Sequence, residues 1–312
     1  MKTIHSTLAL AVGALLAACT STQDAPRATP EKTGTAAAQE QKQAAPLVIE
    51  AFTPDDNAIF KVASVMVQGD KDMILIDAQF SAADAQQVAT RIRETGKRLD
   101  TIYISHWDPD YYFGLDTIKT AFPDAKIVAT PQTIAHIRAS KDAKLKTWKP
   151  ELGANAPRSI PMPEPLQGDT LMLEGQPLKI VGLDGPTPDR TFVWIPSVKT
   201  VAGGIPVVGN EHVWMADTQT PESHANWLKT LARIEALNPM VVIPGHFADN
   251  SPLDLRSVTF TADYIRAFDE ETAKAKNSAA LIEAMKKRYP NLAGESSLEL
   301  SAKVAKGEMQ WP

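Results

Sequence analysis

The chain has 312 residues, 44% of them hydrophobic, and a formal net charge of −5. That is enough apolar material for a sizeable core in one large domain or two small ones. The acidic balance shows no basic patch or stripe, which excludes a nucleic-acid footprint. The single cysteine, Cys19, rules out an internal disulfide.

The chain opens with "MKTIHSTLALAVGALLAAC", one lysine followed by an apolar run from Leu8 to Ala18. The run is too short to span a bilayer as a mature helix. With small residues at its end it reads as a secretory signal. Leu16-Ala17-Ala18-Cys19 resembles a bacterial lipobox. That resemblance implies a signal peptide over 1–18, lipidation of Cys19 and attachment to the membrane of the bacterial cell envelope. Thr20 rather than Asp after the cysteine implies sorting to the outer membrane, facing the periplasm. Cleavage removes Lys2 and takes the charge from −5 to −6. The alternative is an ordinary signal peptide that contains a cysteine. Residues 19–46 are rich in Ala, Thr, Gln and Pro and read as a flexible tether.

From residue 47 the pattern changes. Leu47–Phe52, Ile59–Gln68 and Met73–Ile76 read as strands. Apolar spacing over 81–96, ending in Gly96, predicts a helix. "TIYIS" (101–105) is a strand, and a helix runs from Asp110 to Ala121. "KIVAT" predicts a strand and 131–143 a helix; the Pro- and Gly-rich stretch 147–169 reads as a long loop. "TLMLEGQPLKIVGLDG" predicts a hairpin, and "TFVWIPS", "TVAGGIPVVG" and "HVWMAD" (212–217) three further strands. A helix follows over 220–237, then a buried strand in "PMVVIPGHF", then mostly helix over 253–305. No internal repeat stands out. This order predicts a layered α/β domain with mixed sheets over 47–252, and a C-terminal helical extension over 253–312 packed on it.

Acidic and histidine residues recur at strand ends: Asp77, His106, Asp217 and His246. Loops at strand ends are where a rigid sheet presents chemistry. The densest stretch is "YISHWDPDYYFGLD", with His106, Asp108, Asp110 and Tyr111.

These residues resemble the metallo-β-lactamase superfamily. The family's His-x-His-x-Asp-His motif falls on His106-Trp107-Asp108-Pro109-Asp110-Tyr111, with Gly114 beyond. Asp77 matches its early structural aspartate, Asp217 its bridging aspartate and His246 its last histidine ligand. Three positions depart from the pattern: Asp108 stands at the second histidine, Tyr111 at the third and Pro186 at the fourth. The resemblance implies an αββα sandwich of two mixed β-sheets flanked by helices. It implies metal ligands among His106, Asp108, Asp110, Asp217 and His246, with Asp184 and His212 as possible extra ligands.

One pocket would combine His106, Asp108 and Asp217, and the other Asp110, Asp217 and His246. Both are richer in oxygen than the family norm, which shifts preference toward harder ions. Zinc is the expected metal, with one ion well held in the second pocket and another weak or absent; manganese and iron are alternatives. Asp108 would take a proton from metal-bound water if it is not itself a ligand. Tyr111 would donate a hydrogen bond to an oxyanion or bind metal as phenolate. Each residue also has a plain reading. Asp110 would cap its helix, Asp217, Thr218 or Thr220 would cap the next one, and His136 and His224 would lie on the surface. Trp107, Tyr112, Phe113 and Trp214 would wall a pocket or pack the core.

The expected function is an envelope-anchored, metal-dependent hydrolase. Metal-activated water would attack a small-molecule ester, lactone, amide or activated aryl substrate. With the full ligand set missing, β-lactams are not the expected substrate. The alternatives are a ligand-binding lipoprotein without catalysis and an iron-containing redox protein.

Overall fold

The computed structural model describes residues 45–55 and 57–311. The signal segment, Cys19 and the tether as far as residue 44 lie outside the described residues.

Six strands form the first sheet, in chain order across it: β1 (Val48–Phe52), β2 (Ser64–Gln68), β3 (Asp72–Ile76), β4 (Arg98–Ile104), β5 (Lys126–Ala129) and β6 (Glu164–Pro165). The first two pairings are antiparallel and the last three parallel. Between these strands lie α1 (Ala82–Glu94), α2 (Pro109–Tyr112), α3 (Leu115–Ala121) and α4 (Pro131–Leu152). The second sheet holds β7 (Thr170–Leu173), β8 (Gln176–Val181), β9 (Phe192–Ile195), β10 (Thr200–Ala202) and β12 (Val241–Val242), in the order β12-β10-β9-β8-β7. A small parallel pair joins β11 (Val208–Gly209) to β13 (His246–Phe247). The helices α5 (Pro221–Ala236), α6 (Leu255–Lys274), α7 (Ser278–Arg288) and α8 (Glu295–Ala305) complete the chain. None of the described helices is long and apolar enough to cross a membrane.

The layering follows from side-chain alternation along the strands. In β3, Met73 and Leu75 face one core cluster, with Val88 and Ile92 of α1 and Ile118 of α3. Ile74 and Ile76 face the other way, into a cluster shared with Leu178, Ile180 and Val193 of the second sheet. A strand buried on both faces must be apolar at every position, which is why "MILI" shows no polar alternation. The outer face of the second sheet packs Val201 and Val242 against Trp227 of α5, Phe268 of α6, Leu281 of α7 and Leu298 of α8. The result is helices, sheet, sheet, helices: the αββα sandwich of mixed sheets that the sequence implied.

Several elements differ from their sequence reading. The helix expected over 110–121 is broken at Phe113–Gly114. There the chain docks on the loop after β3: Gly114 N–H donates to Gln79 O, and Ala78 N–H to Tyr111 O. A Cβ on Gly114 would lie 1.9 Å from Ala78 O, so only glycine permits this approach. The helix expected to end near Ala143 runs to Leu152 despite Pro150. Trp148 packs edge-on against Phe60 (5.1 Å) and Phe80 (5.6 Å), and that burial outweighs the lost backbone bond. The loop expected over 147–169 is shorter and contains β6.

"HVWMAD" is not a strand. Its backbone is bonded to the C-terminal region instead: His212 N–H to Ala293 O and Met215 N–H to the Ser301 hydroxyl. Buried Val213 and Met215 alternate as a strand would and so give a misleading signal. The run "PMVVIPGHF" is split between β12 and β13 at Pro244-Gly245, where proline has no N–H to give a ladder. Likewise the strand expected over 59–68 begins only at Ser64, and "TVAGGIPVVG" divides into β10 and β11.

Candidate active site

Asp77 ends β3 with a left-handed backbone (φ 65°). Its carboxylate accepts from the Ser105 N–H (2.8 Å) and hydroxyl (2.6 Å), and the Ser105 hydroxyl accepts from Gly204 N–H (2.7 Å). Asp77 thus ties the end of β4 to the second sheet. Burial pushes its carboxyl up to about 8, the Ser105 hydrogen bonds opposing part of that rise.

His106 follows directly and is fully buried. Burial pushes its pKa down to about 3, so the ring is neutral near pH 7. Its Nδ1 faces the Asp108 N–H (3.3 Å), which puts the ring proton on Nε2. That Nε2 has no partner among the described residues. Asp108 opens α2 but makes no capping bond. Its Oδ1 accepts from Lys144 Nζ at 2.7 Å, and its Oδ2 lies 3.4 Å from His106 Nδ1. Burial alone would raise this carboxyl, but the bonded Lys144 ammonium, with Arg190 adding to it, holds it below the usual carboxylate range.

Asp110 does not cap its helix; it is buried, with Oδ2 3.1 Å from His246 Nε2. Burial works against the charged imidazole, yet Asp110 outweighs it and raises the His246 pKa. Tyr111 stands between the histidines, edge-on to His106 (5.2 Å) and to His246 (5.7 Å). Its buried hydroxyl has no partner among the described residues, and burial holds it well above the usual phenol range. Tyr111 is therefore a neutral donor.

Asp217 is held by two indoles, with Trp311 N–H on Oδ1 (2.6 Å) and Trp214 N–H on Oδ2 (2.8 Å). Burial pushes it up to about 6, with the Asp108 charge adding to the rise. The cap of α5 is Thr220, in a capping box with Ser223.

The other candidates lie apart. Asp184 is exposed and paired with Arg233 at 2.9 Å. His212 is buried against α6, with Nδ1 2.9 Å from the Tyr264 hydroxyl, and burial lowers its pKa to about 4. Neither supplies a ligand here. His224 is not a surface residue: it is buried between Thr218 O (2.6 Å) and Asp269 (2.6 Å). His136 is exposed and stacks on Trp107 at 5.1 Å. Tyr112 and Phe113 belong to the core, while Trp107 is half-buried beside the site.

Sequence reasoning missed three participants. Lys144 reaches in from α4, and nothing in sequence separates it from the other lysines of that helix. Trp311 arrives from the far C-terminus. Arg190 acts electrostatically on His106, Asp108, Tyr111 and Asp217, and its guanidinium sits over Trp227 (5.6 Å). It falls in the "GPTPDR" turn beside Pro186, which was a usable signal.

A profile of the metallo-beta-lactamase superfamily matches residues 59–246. The chain belongs to this superfamily. A comparison with curated proteins gives no match. Among solved structures, a metallo-beta-lactamase family protein from Thermus thermophilus is similar with a TM-score of 0.59 and 16% identity, over 83% of this chain and 93% of that one. A metallo-beta-lactamase from Pontibacter korlensis gives 0.54 and 17%, over 72% and 97%. A beta-lactamase domain protein from Burkholderia ambifaria gives 0.58 and 14%, over 83% and 84%. At these identities the likeness shows the fold.

Members of this superfamily are generally hydrolytic metalloenzymes and usually bind zinc. A catalytic zinc needs three protein ligands and an open position. Among the described residues no group of three His, Cys, Asp or Glu side chains can hold a metal ion. Asp110 and His246 come together, but both Asp217 oxygens are on indoles and Asp108 is on an ammonium. The donors as arranged do not fit the three-ligand zinc centre that the sequence implied.

Proposed function

We propose that this chain is an envelope-anchored hydrolase, lipidated at Cys19, that cleaves a small ester, lactone, amide or activated aryl substrate with water. The observation that carries this is the Asp110–His246 pair, 3.1 Å apart, beside the unpartnered hydroxyl of Tyr111. His246 is the more exposed member of the pair, at 18% against 8% for Asp110. With its ring unprotonated, it takes the proton of a water that attacks the substrate carbon. The Asp110 carboxylate stabilises the resulting imidazolium, and the imidazolium returns the proton to the leaving group. Tyr111 O–H and His106 Nε2–H are buried donors available to the developing oxyanion. Membership of a largely hydrolytic superfamily supports the reaction class.

The test is a panel of activated esters, lactones, anilides and aryl halides, assayed with the full chain after chelator treatment and desalting. Turnover is expected, with His246→Ala and Asp110→Asn each lowering it by about 10²–10⁴-fold, the usual weight of general acid–base catalysis. Binding without turnover of any class would replace this reading with that of a ligand-binding lipoprotein. Turnover lost to the chelator and restored by zinc, manganese or iron would return the activation of water to a metal.

A further inference from the structure

Lys144 is held from three directions. Its ammonium lies 2.7 Å from Asp108 Oδ1, 3.3 Å from Trp107 O and 3.9 Å from the centre of the Trp107 ring. The ring is fixed in turn by His136, which stacks on it from two turns earlier in α4. The lysine and aspartate side chains are only 20% and 18% exposed. Ordering a long, flexible lysine costs side-chain entropy, which these three contacts offset. Asp108, which anchors the ammonium, stands where the superfamily motif places its second histidine, and it turns its other oxygen toward His106. Beside a carboxylate and a neutral imidazole, the cation bonded to Asp108 among the described residues is the side chain of Lys144. Arg190 adds a second positive field over the same groups.

We propose that Lys144 is a built-in counter-ion standing in for the first metal ion of the superfamily site, so that the pocket of His106 and Asp108 takes up a divalent cation only when this ammonium is removed. A dication entering the pocket must displace the ammonium from Asp108 or sit against it, and like charges at such range repel strongly in a partly buried site. Removing the ammonium while keeping the stem's bulk frees Asp108 Oδ1 beside His106. The proposal rests on the hydrolase reading for its context, but uptake of metal, not turnover, decides it.

The experiment titrates the full chain with zinc by calorimetry, for wild type, His106→Ala, Lys144→Met, Lys144→Arg and the double variant Lys144→Met/His106→Ala. Circular dichroism establishes that each is folded, and Lys144→Gln replaces the methionine variant if that one is not. Wild type, His106→Ala and Lys144→Arg are expected to bind no zinc. Lys144→Met is expected to bind one zinc weakly, on His106 and Asp108 alone, and the double variant to lose that binding. Zinc held by wild type and lost in His106→Ala overturns the proposal. So does a folded Lys144→Met or Lys144→Gln that gains no zinc, or a gain that survives the loss of His106. Absence of turnover in the substrate panel, with the zinc pattern as expected, would sink the hydrolase reading and leave this one standing.

Discussion

Replacing Asp77 by asparagine tests the electrostatics of the site at its most buried carboxyl. Asp77 is 1% exposed and its carboxyl is pushed up to about 8 from an ordinary 3.8. A raised carboxyl binds a proton in the folded chain that the unfolded chain has released. Its contribution to stability therefore falls as pH rises from about 4 to about 8. At pH 7 the cost is (7 − 3.8) × 1.36, about 4 kcal/mol, and between pH 6.5 and 8 the further fall is about 2 kcal/mol. His246, whose pKa is also raised, contributes a fall of the same sign above pH 6.5. His106 and His212, whose pKa values are depressed, act only below that range. Subtracting the variant from wild type isolates Asp77. Asparagine tolerates the left-handed backbone at this position and can still accept the Ser105 N–H. Asp77→Asn should remove the Asp77 slope: urea unfolding at pH 6.5, 7 and 8 should show the variant gaining about 2 kcal/mol on wild type across the range. A constant difference between the two would mean that Asp77 is ionised in the fold and that the reasoning is wrong.

Three further changes probe neighbouring groups. Gly245→Ala places a Cβ 2.3 Å from Gly204 O and 2.7 Å from the Tyr111 hydroxyl, so it should cost about 1–3 kcal/mol in urea unfolding and impair turnover by displacing Tyr111. Trp311→Phe keeps an aromatic ring edge-on to Trp214 but removes the N–H bonded to Asp217 Oδ1. Thermal melts at neutral pH should show a loss of about 1–3 kcal/mol, and the loss should shrink at pH 5, where Asp217 is protonated. Asp108→Asn and Lys144→Met each strand the partner's charge, so the double variant should be less destabilised than the sum of the singles, with a coupling of about 1–3 kcal/mol by denaturation. Simple additivity would show that the two charges do not support each other.

The fold was legible because its main signals are local. The apolar strands of the first sheet, the Gly96 end of α1, and the Thr220 cap of α5 can each be read within a few residues. What was misread depends on partners distant in sequence. The break at Gly114 is made by the backbone of Ala78 and Gln79, and α4 persists past Pro150 because Phe60 and Phe80 receive Trp148. The 212–217 segment is turned from a strand into a loop by Ala293 and Ser301, more than 80 residues away for each bond. The same division holds in the site. Strand-end position marked Asp77, His106 and His246, whereas Lys144 and Trp311 lie on elements with no signature of their own.

The three substitutions in the ligand motif have consequences beyond the loss of imidazoles. Histidine is a neutral ligand, so replacing one with Asp108 adds a negative charge to a site from which water is largely excluded. A buried carboxylate without a partner is costly, and the cost can be met by a metal, by protonation or by a cation of the protein. The last two routes are visible at different residues. Asp108 has Lys144, Asp110 has His246, and Asp77 and Asp217 are pushed toward their protonated forms, with hydrogen bonds from Ser105 and from two indoles. The substitution at 111 replaces a ring nitrogen with a hydroxyl that burial keeps protonated, which turns a lone-pair donor to metal into a hydrogen-bond donor to oxygen. The changes at 108 and 111 therefore point the same way. Together they convert a pocket that receives a cation into one that carries its own positive charge and offers protons to an oxygen.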